Sequence, residues 1–244
     1  MSVPAPEMQK RVPLFYTDPQ PLGPERFGNW RLKGGNASFA AKAMGVPVVL
    51  GEFADAARYY PILFASGEGN GPIVLTGLSD QNVFVKDNNW EDKLYVPGYV
   101  RRYPFALGGI EGDPDRLVLA IDAASDFFVQ DGTEGMALFE NNEPTQFTKD
   151  AMSFCETWQR ETVNVVEYVK ALREKGLLIA QRVDGTTPGG RKFSVDGFEI
   201  IDQQKLTDLD AETVVAWHRR GWLSASYLHL ISLNRVNDLL SRAG

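Results

Sequence analysis

The chain has 244 residues, of which 43% are hydrophobic and 23% charged, with a formal net charge of −7. That length and balance suit a globular protein with a well-filled core, and the negative charge argues against nucleic-acid binding, which depends on a concentrated basic footprint. Cys155 is the single cysteine, which excludes an intrachain disulfide and a four-cysteine zinc site.

The opening MSVPAPEMQKRVPLFY holds no apolar run long enough for a signal-peptide core. No later stretch approaches the roughly eighteen apolar residues of a membrane span. A cytoplasmic, soluble protein without direct membrane insertion is expected.

Residues 1–30 are rich in proline and polar side chains and predict an extended arm. Asn36–Met44 predicts a short helix with Asn36 as its cap. Val46–Phe53 predicts a buried strand, with Pro47 near its start and Glu52 toward its end. Tyr60–Ala65 and Pro72–Gly77 predict a pair of strands joined through the glycine-rich Ser66–Gly71. Further strands are expected at Asn82–Lys86 and Leu117–Ile121, with turn chemistry at Asp87, Asn88 and Asn89.

Between these lies Tyr95-Val-Pro-Gly-Tyr-Val-Arg-Arg-Tyr-Pro-Phe105. Two prolines rule out an ordinary helix through the block, and its aromatic bulk favours burial or recognition.

The character changes after Pro144. From Thr148 to Lys175 the residues Met152, Cys155, Trp158, Thr162, Val165, Val166, Val169 and Leu172 recur at helical spacing, and Gly176 is placed to stop the helix. Strands at Leu177–Val183 and Phe193–Ile201 follow, joined by the turn-rich Asp184–Gly190. Helices at Asp210–Arg220 and Ala225–Ser241, separated by Gly221, finish the chain. The expected fold class is α+β. A sheet-rich portion, 1–145, carries the N-terminal arm. A second portion, 146–244, reads as helix, β-hairpin and two helices, packed as one unit with the first.

With these elements placed, the chain resembles the SapC family of bacterial proteins over nearly its full length. The residues that carry the resemblance are Glu52-Phe53, Ala56-Ala57, Tyr60-Pro61-Ile62, Asn82–Val85, Trp90 and the Tyr95–Phe105 block. Ile121-Asp122, Ser125, Asp196–Phe198, Lys205-Leu206, Gly221–Leu223 and Tyr227–Leu233 continue it. The resemblance implies a genomic setting near outer-membrane receptors and halogenase-like flavoproteins. It transfers no catalytic residue to a position of this chain.

Gly67–Gly71 superficially resembles a phosphate loop, but a strand rather than a helix follows it and a Walker lysine is lacking. Asp184–Arg191 meets the same objection, so both read as hairpin connections. His218 and His229 flank Gly221 and lie outside any H-E-x-x-H arrangement; packed or capped histidines are the better explanation. Cys155, on the apolar face with Met152 and Trp158, reads as a buried, inert thiol. No cofactor-binding or metal site is predicted.

Glu52 and Asp122 are the weak catalytic candidates, with Asp126 beside the latter: two carboxylates brought together would divide acid and base roles. Each has a structural alternative, Glu52 in an ion pair with arginine and Asp122 turning the chain into Ala123–Phe128. In an extended segment Arg101 and Arg102 would point to opposite faces, one toward an internal carboxylate and the other toward solvent or an anionic ligand. Trp90, Tyr95, Tyr99, Arg101, Arg102 and Tyr103 are therefore the candidates for binding a ligand or partner, with core packing as the alternative for the aromatic rings. The expected function is a non-catalytic binding or accessory factor for a protein partner or a small polar ligand. The competing expectation is an enzyme acting on a small polar or anionic, sugar-like substrate.

Overall fold

Apolar residues spaced three and four apart after Pro144 fold into a single helix, Gln146–Glu174. Gly176 stops it with φ 64°, a conformation that strains any other side chain. The structure, a computed structural model, describes residues 12–67, 70–110, 113–130, 132–186, 189–190 and 192–243. The fold is α+β, with a sheet-rich N-terminal part and C-terminal helices. The first eleven residues of the expected arm lie outside the described residues, as do parts of both glycine-rich connections.

Two units share the chain. The first comprises residues up to 35 together with 103–155, and the second 36–102 with 156–244. The helix Gln146–Glu174 gives its residues through Cys155 to the first unit and the remainder to the second.

The first unit is built on an antiparallel sheet in the order Pro19–Pro21, Asp113–Asp122, Phe105–Ile110. The expected strand at Leu117–Ile121 is thus longer, and its partner begins at Phe105, the last residue of the aromatic block. A second small sheet places Trp30–Leu32 between Phe128–Gln130 and Met136–Ala137. Phe27, Phe105, Leu119, Ile121, Leu138, Phe139 and Cys155 form the core. Tyr16 pins the arm to this core by donating its hydroxyl to the Phe105 carbonyl at 2.5 Å.

The second unit carries a five-stranded antiparallel sheet. Its order is Leu178–Thr186, Lys192–Ile201, Ile62–Ala65, Pro72–Leu75, Gly45–Pro47. Both predicted hairpins are present: Leu63 faces Ile73, and Ile179 faces Ile200. Asp87 and Asn88 take φ values of 50° and 64° in the turn that pairs Val85–Lys86 with Asn89–Trp90. Asp and Asn tolerate this left-handed conformation better than most residues.

Four expectations change. Val46–Phe53 is not one strand; Gly45–Pro47 is followed by a 3-10 turn, Leu50–Glu52, and a short helix, Phe53–Ala56. The Glu52 carboxylate accepts the Val49 N–H at 3.0 Å, a local bond that closes the turn and competes with a strand ladder. The helix expected at Asn36–Met44 is one 3-10 turn, Ser38–Ala40, because Asn36 Oδ1 bonds the Ser38 N–H only two residues ahead. The helix expected at Ala225–Ser241 begins at Trp222 and breaks into Trp222–Ser232 and Val236–Arg242 around a 3-10 turn. Ser232 Oγ donates to the His229 carbonyl at the break, a side-chain bond of the kind that bends helices. Finally, Gln203–Thr207 is an additional helix, capped by Asp202, which accepts the Gln204 and Lys205 N–H groups.

Candidate functional site

The signature block is divided by the unit boundary, with Tyr95–Arg102 in the second unit and Tyr103–Phe105 in the first. Its prolines do not leave it wholly extended. Pro97 instead opens a single helical turn, Gly98–Arg101, ahead of Pro104, which follows a cis peptide bond. Arg101 and Arg102 therefore do not alternate across a strand as expected.

Glu52 organises this turn. Its Oε1 accepts the Tyr95 hydroxyl at 2.7 Å and the Gly98 N–H at 2.5 Å, while Oε2 accepts the Val49 N–H. The residue is only 7% exposed, so these three donors replace the water its charge would otherwise hold. Burial, then the bond to Glu52, pushes the Tyr95 phenol well above its ordinary value and keeps it a donor. Arg101 reaches the carboxylate through this phenol: its Nη2 donates to the Tyr95 hydroxyl at 3.1 Å.

Gly98 is required by the closeness of this packing. A Cβ there would lie 3.1 Å from both Glu52 Oε1 and Trp158 Cδ1. Helix propensity favours alanine over glycine by about 1 kcal/mol. Neither neighbour yields readily, since Glu52 is held by three bonds and Trp158 by the Tyr99 ring and the Arg102 guanidinium. Gly98→Ala is expected to lower stability by about 1–2 kcal/mol through overpacking, measured as a fall in the urea midpoint. An unchanged or raised midpoint would contradict the packing described.

Beyond Gly98 the side chains form a ladder. The Arg102 guanidinium lies 3.9 Å from the Tyr99 ring centroid and 4.3 Å from that of Trp158, and the two rings meet edge to face at 5.4 Å. Trp90 is buried and donates its indole N–H to the Tyr60 hydroxyl at 3.0 Å; Tyr60 in turn donates to the Tyr95 carbonyl. Burial raises the Tyr60 phenol above its ordinary range. Packing therefore occupies Trp90 and Tyr99, whereas Arg101 is exposed.

Asp122 has an equivalent position in the first unit. Its Oδ1 accepts the Thr17 and Asp18 N–H groups at 3.1 and 2.7 Å, and its Oδ2 accepts the Tyr103 hydroxyl at 3.0 Å. It is 1% exposed. The Tyr103 phenol is pushed up to about 12, first by burial and then by the Asp122 charge, partly offset by a bond from Ser125. Tyr103 packs edge to face on Tyr16 and Phe127. Glu52 and Asp122 thus belong to different units, each engaged by its own backbone amides and a tyrosine.

A groove in the second unit, about 610 Å³ in volume, was not anticipated from sequence. One wall is the helix from Trp158 to Glu174; the other is formed by Pro47–Val49 and Pro72–Ile73. Trp158 joins the two features, lining the groove on one side and packing against Tyr99 and Arg102 on the other. The sequence signal was Val166, an apolar residue on the periodic run that proves 58% exposed. Periodicity alone gave no reason to separate it from its buried neighbours Val165 and Val169.

His229 is fully buried, as a packed histidine should be, with Nδ1 2.8 Å from the Ile62 carbonyl and Nε2 accepting the Ile201 N–H at 3.1 Å. Cys155 is buried in the first unit's core. Among the described residues no group of three or more His, Cys, Asp or Glu side chains is arranged to hold a metal ion, and no helix is long and apolar enough to cross a membrane. The SapC family model matches residues 22–239. No curated protein and no solved structure matches the chain.

Proposed function

The chain belongs to the SapC family, and from that premise we propose that it is a non-catalytic binding factor that holds an extended segment of a protein partner in the groove of its second unit. The observation that carries this reading is the groove itself: an apolar trough with Trp158 at one end and Lys170, Arg173 and Glu174 at the other. Sixteen helical steps at 1.5 Å span about 24 Å, the length of roughly seven extended residues. Apolar walls with polar groups at the end suit a peptide that buries side chains and keeps its polar ends wet.

Two further observations support binding over acid–base catalysis. Glu52 and Asp122 each accept three hydrogen bonds from backbone amides and a tyrosine, so both carboxylates are engaged in holding the chain rather than facing a substrate. The binding candidates of the aromatic block act in this reading as a frame: Glu52 sets Gly98, and Tyr99 with Arg102 sets Trp158 at the groove. The buried lone thiol of Cys155 accords with a cytoplasmic setting.

Val166 and Val163 provide a matched test, being 58% and 57% exposed on the same helix, with only Val166 lining the groove. Each is replaced by glutamate and, separately, by a photo-crosslinking residue. The expected result is a discrete crosslinked partner at position 166 that is absent at 163, with retention lowered about tenfold or more in Val166→Glu alone. Equal behaviour of the two positions would remove the groove from the proposal.

A further inference from the structure

We propose that the second unit also binds a small aromatic molecule, a single six-membered ring with one polar substituent, in a cavity separate from the groove. The cavity measures about 170 Å³. Leu63, Leu75, Phe198 and Ile200 line it from the five-stranded sheet, and Leu233 and Val236 from the turn and helix that end the chain. None of the groove residues takes part, and the inference does not depend on the groove having a partner.

Size and lining choose the ligand class. Protein interiors rarely leave spaces larger than a water molecule, and an apolar cavity of about 150 Å³ walled by Leu, Ile and Phe accepts benzene. Here the volume is of that class and the walls have the same chemistry, in a pocket that opens to solvent on one side. Phe198 offers a ring against which a second ring can lie edge to face. A water molecule on these walls would find a hydrogen-bond partner only at Gln181, whereas an aromatic ring needs none.

Gln181 is the one polar residue of the lining, and it is exposed, which places it at the opening. Its amide both donates and accepts, so it can bond a hydroxyl on a ring seated below it. Val183 and Val195 line the same cavity and are half-buried, so a larger side chain at either can enter it from the rim without replacing a core residue.

The test uses the full chain with ¹³C-labelled methyl groups, titrated with benzene and with phenol. Saturable shifts are expected at the methyls of Leu63, Leu75 and Leu233, with phenol binding about tenfold more tightly than benzene, one hydrogen bond's worth. Val183→Phe fills the site and should weaken both ligands about tenfold or more. Val195→Leu serves the same purpose should Val183→Phe lose cooperative unfolding. Gln181→Leu should bring phenol down to the affinity of benzene. The proposal is overturned by an absence of saturable shifts, by binding unchanged in the filling variants, or by a phenol preference that survives Gln181→Leu.

Discussion

Glu52→Ala is expected to destabilise the second unit by about 3–4 kcal/mol, because it strands two buried donors and a half-buried one at once. The Val49 N–H, the Gly98 N–H and the Tyr95 hydroxyl all lose their acceptor. A buried donor without a partner costs about 1–3 kcal/mol, and water reaching the vacated space would recover part of the sum. Glu52→Gln separates charge from shape. It keeps one acceptor oxygen but turns an NH₂ group toward a donor, so a smaller loss, about 2 kcal/mol, is expected. Urea denaturation monitored by tryptophan fluorescence measures both, since Trp158 and Trp90 lie in the same network. A catalytic carboxylate held in strain would behave in the opposite way, with Glu52→Gln at or above wild-type stability. That outcome would sink the structural assignment and revive the acid–base reading of this residue.

His229 supplies the second large effect, visible in the pH dependence of stability. Burial depresses its pKa from the ordinary 6.5 to about 4, only partly offset by the Ile62 carbonyl. The geometry gives the same sign. Ile201 N–H must find a lone pair on Nε2, so the neutral ring carries its proton on Nδ1, directed at Ile62 O. Protonating Nε2 would set two donors against each other in the core. In the unfolded chain the ring binds a proton below about pH 6.5, whereas in the folded chain it does so only below about pH 4. The contribution of His229 is therefore complete above pH 6.5 and declines as the pH falls through that window, by a total of about 3 kcal/mol.

His229→Gln removes the titration. The variant should be less stable than wild type at pH 7, and the difference between them should shrink as the pH falls toward 4. Taking the difference cancels the carboxylates that titrate in both proteins. A difference independent of pH from 7 to 4 would show that the ring does not titrate as described.

The aromatic block shows how local and long-range information part company. Composition marked it as a site of burial or recognition, and Tyr99 and Phe105 are indeed buried. The arginine geometry did not follow, because an extended backbone was assumed where Pro97 starts a helical turn. A proline that forbids a helix interior is favoured at a helix start, and the sequence does not say which role applies. Glu52 was a weak catalytic candidate placed at the end of an apolar strand, and that place was wrong. Its own side chain closes the turn that interrupts that strand.

From the sequence alone came the α+β class, the long helix with its stop at Gly176, both main hairpins, the packed His229 and the buried Cys155. All of these rest on periodicity, turn chemistry and composition, which act over a few residues and leave their mark in neighbouring letters. Tertiary structure decided which donors meet Glu52, 43 and 46 residues away at Tyr95 and Gly98, and which backbone amides close on Asp122 from more than a hundred residues back. It also decided that Val166 stays open beside Val165 and that residues from four strands, the last 3-10 turn and the helix after it line one pocket. Such meetings depend on how the strands and helices pack in three dimensions, and no periodicity in the chain encodes that directly.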